Sequence, residues 1–157
     1  MAGLRGISLF VLIFSLLLPL TNFADYSFPL IPNAELTSGD LCDTDDPDFK
    51  NYRYSQKIPY CSRNVSYETK TQVYESYNIP AARRGEYTVD HLIPLSIGGS
   101  NQIDNLWPEH KKVKETRVNL ELEVFEDVRD GKMSQAEAID LIMKVKMDPQ
   151  LAAGRGH

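Results

Sequence analysis

Apolar positions along the chain fall into blocks of different period. Residues 7–20 are almost wholly apolar and follow the single positive charge of Arg5. A run of that length is short of the roughly 20 apolar residues a spanning helix needs, and it reads as a signal peptide over residues 1–24, with Ala24 before the cut. An uncleaved membrane anchor is the alternative reading. Residues 25–41 carry Pro29, Pro32 and Gly39 with no clear period and are expected to form an extended arm. Ser66 is placed to cap a helix running to about Asn78, with Val73, Tyr74 and Tyr77 on one side and Pro80 ending it. Tyr87 and Val89 alternate with polar neighbours, which predicts a short strand over residues 86–90.

A loop over residues 92–104 holds Pro94, Gly98 and Gly99, and residues 105–107 read as a brief returning strand. Pro108 stands where a helix commonly begins. Residues 109–129 carry the clearest helical stripe, through Val113, Leu120, Val124, Phe125 and Val128, and Gly131 stops it. Ser134 and Glu137 form a capping box that opens a second helix to about Lys146. The pattern predicts an α+β fold with one folded unit over residues 42–147 and a frayed tail over residues 148–157.

Composition agrees with a globular chain: 42% of residues are hydrophobic and 25% charged. Export changes the reading of Cys42 and Cys61. In an oxidising compartment an isolated pair favours one disulfide, and two cysteines without paired spacing make a poor zinc site. The expected location is secreted or periplasmic, with no membrane contact after signal cleavage and a monomer in solution. The formal charge of −5 becomes −6 when Arg5 is removed, which is awkward for an enzyme of nucleic acid. The charge is uneven, however. Asp40, Asp43, Asp45, Asp46 and Asp48 crowd one segment, without the glycine and terminal glutamate of a calcium loop, and read as a solvated turn. Arg83, Arg84, Lys111, Lys112, Lys114 and Arg117 bracket the stretch that carries the chemistry.

That stretch places Asp90 beside His91 at a strand end, then a Gly-Gly loop, then Asn105 before a helix start. Phosphodiester hydrolysis needs a base for water and positive charge near the phosphate. A histidine titrates near neutrality, and a hard cation prefers oxygen ligands such as Asp90. Neighbours on a regular strand face opposite ways, so Asp90 and His91 can share a site only where the strand ends or bends. Singly, each residue has a plain structural reading: an Asp-His pair arises by chance, and an asparagine caps turns. Trp107 reads as core, with base stacking as the alternative, and Tyr52, Tyr54 and Tyr60 read as packing against the disulfide loop. Asn64-Val65-Ser66 is an acceptor sequon in a host that glycosylates.

Taken jointly, Asp90-His91, Pro94-Leu95, Gly98-Gly99-Ser100 and Asn105-Leu106-Trp107-Pro108 resemble the HNH, or ββα-metal, nuclease family, over roughly residues 86–110. Asp46 to Phe49, Cys61 to Val65 and Gly131 to Ser134 extend the resemblance to small secreted bacterial members. The resemblance implies a core of hairpin plus helix, with His91 as general base, Asp90 as a cation ligand, and Asn105 orienting the histidine and fixing the loop. It implies a divalent cation, magnesium with manganese as substitute, and a nucleic-acid substrate, DNA ahead of RNA, cut with little sequence preference. The family's last histidine, about nine residues after the asparagine, is here Lys114, which cannot ligate while charged. His110 and Glu115 are the nearest substitutes. On a helix they lie about 140° apart around the axis, so they do not readily share one ion. Orientation with Val113 and Val124 favours His110, and oxygen preference favours Glu115 with Asn119; both stay open. The alternative function is an inactive domain of the same fold that binds nucleic acid or a protein.

Overall fold

The computed structural model describes residues 28–148 and Gln150. The expected signal peptide and nearly all of the tail lie outside the described residues. Among the described residues, no helix is long and apolar enough to cross a membrane.

The fold is mixed α+β, with two antiparallel two-stranded sheets. Strands β1 (Phe49–Arg53) and β2 (Ile58–Cys61) form the first sheet, a hairpin with an irregularity between Phe49 and Asn51. Its period is hard to read from sequence because β1 is largely exposed on both faces. Cys42 and Cys61 are joined in a disulfide, which ties the segment before β1 to the end of β2. The acidic segment folds as turns: the Asp43 carboxylate accepts from the backbone N–H groups of Asp45 and Asp46, and Asp46 accepts from Asp48. The described part of the segment before Cys42 is tied to the β3–β4 region. Thr37 is buried and donates to the Leu106 carbonyl, Gly39 bonds to Asp104, and Leu41 bridges to Gly99.

Helix α1 (Tyr67–Ser76) is capped by the Ser66 hydroxyl, which accepts from Thr69 N. Asn78 takes a positive φ of 55° after it, and Pro80 starts a 3-10 turn. Strands β3 (Tyr87–His91) and β4 (Leu106–His110) form the second sheet, in a register that pairs Tyr87 with His110 and His91 with Leu106. The returning strand therefore runs through Pro108, Glu109 and His110, where a helix start was expected. A two-stranded sheet tolerates proline because one edge of each strand has no ladder partner, and the pairing of Tyr87 and Thr88 carries the ladder to His110.

The single helix expected over residues 109–129 is consequently broken. A short α2 (Lys111–Lys114) runs into a 3-10 turn (Glu115–Arg117), followed by α3 (Leu120–Arg129). Arg117, on what reads as a polar face, is buried and paired with Glu109. The capping box of Ser134 and Glu137 opens α4 (Gln135–Lys146) as expected. The core forms where α3 and α4 close over the β3–β4 loop: Leu120, Val124, Val128, Ala138, Ile142 and Val145 meet Ile93, Ile97 and Ile58. Trp107 is fully buried, and Tyr54 packs near Phe125 and donates to the Ser96 carbonyl.

Candidate functional site

His91 ends β3 and is 2% exposed. Its Nε2 lies 3.1 Å from the Asn101 Oδ1. The orientation of that amide follows from its other neighbours. Asn101 Nδ2 donates to Asp48 Oδ2 and to the Ser62 carbonyl, each at 2.8 Å, and both of these only accept. The oxygen must then face the histidine, so the proton sits on Nε2 and the lone pair on Nδ1. Nδ1 is buried with no hydrogen-bond partner. Burial lowers the His91 pKa from its ordinary value, and the bond to Asn101 only partly opposes this. The ring is neutral at physiological pH.

Asn101 was not among the expected site residues. The expected orienting group, Asn105, does something else: its Nδ2 donates to the carbonyls of Ile93 and Ser100, and its Oδ1 accepts from Ile93 N. It ties the two ends of the loop together and makes no hydrogen bond to His91. Gly99 completes that tie, since its chain passes so close to Ile93 that a Cβ there would stand 1.9 Å from the Ile93 carbonyl oxygen. Gly98 beside it takes φ +94°. Asp48 and Ser62 come from the disulfide-bonded hairpin, so two segments remote in sequence converge on Asn101. The only sequence signal for them was their place within Asp46 to Phe49 and Cys61 to Val65.

Asp90 is buried one residue earlier and engages different neighbours. Lys114 Nζ is 3.1 Å from Oδ1 and Lys146 Nζ is 3.5 Å from Oδ2. Burial works to raise the Asp90 pKa, but the Lys146 and Lys114 ammonium groups outweigh it and hold the carboxyl well below the usual range. Lys146 is 2% exposed and also donates to the His91 carbonyl at 2.7 Å and to Glu121. Glu109 lies diagonally across the β3–β4 ladder on the same side. Burial and the adjoining Asp90 charge push its pKa up to about 7, although it also pairs with Arg117 and Lys114. The Lys114 pKa is raised: burial opposes its charge, and Asp90 and Glu109 prevail. A cleft of about 390 Å³ opens beside this cluster, lined among others by Lys111, Lys114, Arg117 and Lys146.

The expected ligand set of Asp90, His110 and Glu115 does not assemble. His110 ends β4 as the N-cap of α2, where its Nδ1 accepts from Lys112 N. Its ring stacks on Phe28 at 3.8 Å and meets Tyr87 edge-on. Glu115 is exposed on the 3-10 turn, and Asn119 is exposed too. Among the described residues, no group of three or more His, Cys, Asp or Glu side chains is placed to hold a metal ion. The groups around Asp90 are the Lys114 and Lys146 ammonium groups, which repel a cation, and the Glu109 carboxyl, itself paired with Arg117 and Lys114, so these residues as arranged do not fit a divalent metal. Of the bracketing cations, Arg84 reaches Glu75, while Lys114 and Arg117 are drawn into the Asp90–Glu109 cluster. Comparison of the chain with family models, curated proteins and solved structures returns no match.

Proposed function

We propose that this protein is a phosphodiester hydrolase of the HNH kind, exported and acting on nucleic acid, with His91 as general base and Asn101 as the residue that positions it. One observation carries the reading: Nε2 of a neutral, buried histidine is held by an amide whose own protons are committed elsewhere, and Nδ1 is left without a partner. A neutral Nδ1 with its lone pair uncommitted is the acceptor that a general base needs. In hydrolysis, Nδ1 takes a proton from water as the water oxygen bonds to phosphorus. The bond from phosphorus to the leaving oxygen breaks, and that oxygen is protonated from solvent. Asp90 stays ionised throughout.

His91→Ala should lower cleavage of plasmid DNA by roughly two to four orders of magnitude, the range for loss of a positioned base. Cleavage by His91→Ala at the wild-type rate across pH 6–9 would remove His91 from that role. The second reading, a non-catalytic binding domain, draws on the complete pairing of Asp90 by lysines. It predicts no cleavage of DNA or RNA by the wild-type protein, with magnesium or with chelator.

A further inference from the structure

The cluster around Asp90 has an unusual composition for a site expected to hold a cation. Each carboxylate oxygen of Asp90 already has an ammonium group within ion-pair distance, one from α2 and one from the end of α4. Lys146 is 2% exposed and has three oxygen partners: Asp90, the His91 carbonyl and Glu121. A lysine is seldom buried so fully without pairing, and withdrawing it would take a partner from two buried acceptors, Asp90 and the His91 carbonyl. Lys146 is therefore a fixed part of the site. Lys114 differs: its side chain is 51% exposed, it reaches both Asp90 and Glu109, and it lines the cleft of about 390 Å³. Lys111 and Arg117 line the same cleft, together with the carboxylates of Glu109, Glu115 and Glu121, of which Glu109 pairs with Arg117 and Glu121 with Lys146. Two Arg117 nitrogens, Nε and Nη1, are buried without partners.

We infer that the ammonium groups of Lys114 and Lys146 are the built-in counter-charge of Asp90 in place of a divalent cation, and that Lys114 presents positive charge to a backbone phosphate of the substrate. The first half stands on the ion-pair geometry alone. The second rests on the phosphodiesterase reading. Asp90 is then a positioning residue, holding Lys114 at the mouth of the cleft. A metal at Asp90 would have to displace both lysines, of which Lys146 is packed and fully bonded.

Two measurements on the exported chain test this. In the first, manganese(II) is titrated into wild type and Asp90→Asn, and free ion is followed by electron paramagnetic resonance. The expected result is the same uptake by both. One manganese per chain in wild type, lost in Asp90→Asn, overturns the inference. In the second, binding of a fluorescent DNA duplex is measured in chelator, in a His91→Ala background that prevents cutting. Lys114→Ala should weaken binding by about three- to tenfold and reduce the slope of log affinity on log salt by about one. Unchanged affinity and slope, or no binding by the parent, overturns the phosphate role. Lys114→Ala removes one of the two counter-charges of buried Asp90 and should lower Tm modestly, so binding is compared at a temperature where parent and variant are both folded; Lys114→Arg should bind as the parent does. If the wild-type protein cuts nothing under any condition, the proposed function fails, while the manganese result still decides the first half.

Discussion

At the scale of single residues, what distinguishes this site is where protons are held. His91 is neutral because burial disfavours its charge, and it is directional because Asn101 accepts from Nε2. Asn101 raises the His91 pKa through that bond, so removing it should have a characteristic consequence. Asn101→Ala is expected to lower kcat with little change in KM and to move the acidic limb of the pH–rate profile to lower pH. A residue with a purely structural role would leave the limb in place. Asn105→Ala should act differently. It frees two carbonyls and one N–H that hold the loop, so its main effect is on stability.

At the scale of elements, the loop between β3 and β4 and the disulfide hairpin behave as one support. Gly99→Ala forces a Cβ into the Ile93 carbonyl and should destabilise the fold by roughly 1–3 kcal/mol, as overpacking does. A matched control is Gly85→Ala, whose added Cβ meets nothing within 4 Å and should leave the urea midpoint nearly unchanged. The disulfide closes a short loop between residues 19 apart, for which chain entropy gives on the order of 3 kcal/mol. Cys42→Ser with Cys61→Ser should lower Tm accordingly. Because Asp48 and Ser62 hold Asn101, the same variant should also lose activity at temperatures where it remains folded. Full activity in the folded double variant would show that the hairpin does not support the site.

At the scale of the whole molecule, buried ionisable groups make stability depend on pH. The His91 pKa is depressed in the fold, so the unfolded chain binds its proton more readily. The stability it contributes is present above the unfolded value near 6.5 and is lost as pH falls toward the folded pKa. Asp90 is also depressed, by Lys146 and Lys114, and its contribution is lost in a separate window below the unfolded value near 3.9. Glu109 acts in the opposite sense: its pKa is pushed up to about 7, so its contribution grows as pH falls toward its unfolded value and offsets the His91 loss in the same window. The His91 contribution is therefore read as a difference: His91→Gln, which cannot titrate, should lose less stability than wild type as pH falls through that window, and both should lose the Asp90 contribution below it. Identical pH dependence of the urea midpoint in wild type and His91→Gln would refute this assignment.

Short-range features were legible in the sequence because their causes are short-range. The Ser66 cap, the capping box of Ser134 and Glu137, the alternation of Tyr87 and Val89, and the turns of the aspartate segment each depend on residues within a few positions. The cysteine pair was legible because there were only two to join. The break in the helix over residues 109–129 was not, because the helical stripe is genuine and pairing with β3 overrides it at Glu109 and His110. Nor was Asn101 legible as the partner of His91, since its meaning comes from Asp48 and Ser62, 53 and 39 positions away. Lys146 is the plainest case. In sequence it ends an amphipathic helix as a cation suited to the helix dipole. Only the packing of α4 against the β3–β4 loop brings its ammonium group to Asp90, 56 residues earlier, and puts charge where the motif implied a metal. Local patterns set the elements and marked His91 and Asp90. Tertiary packing chose their partners, because a buried proton or charge is governed by whatever distant group shares its low-dielectric surroundings.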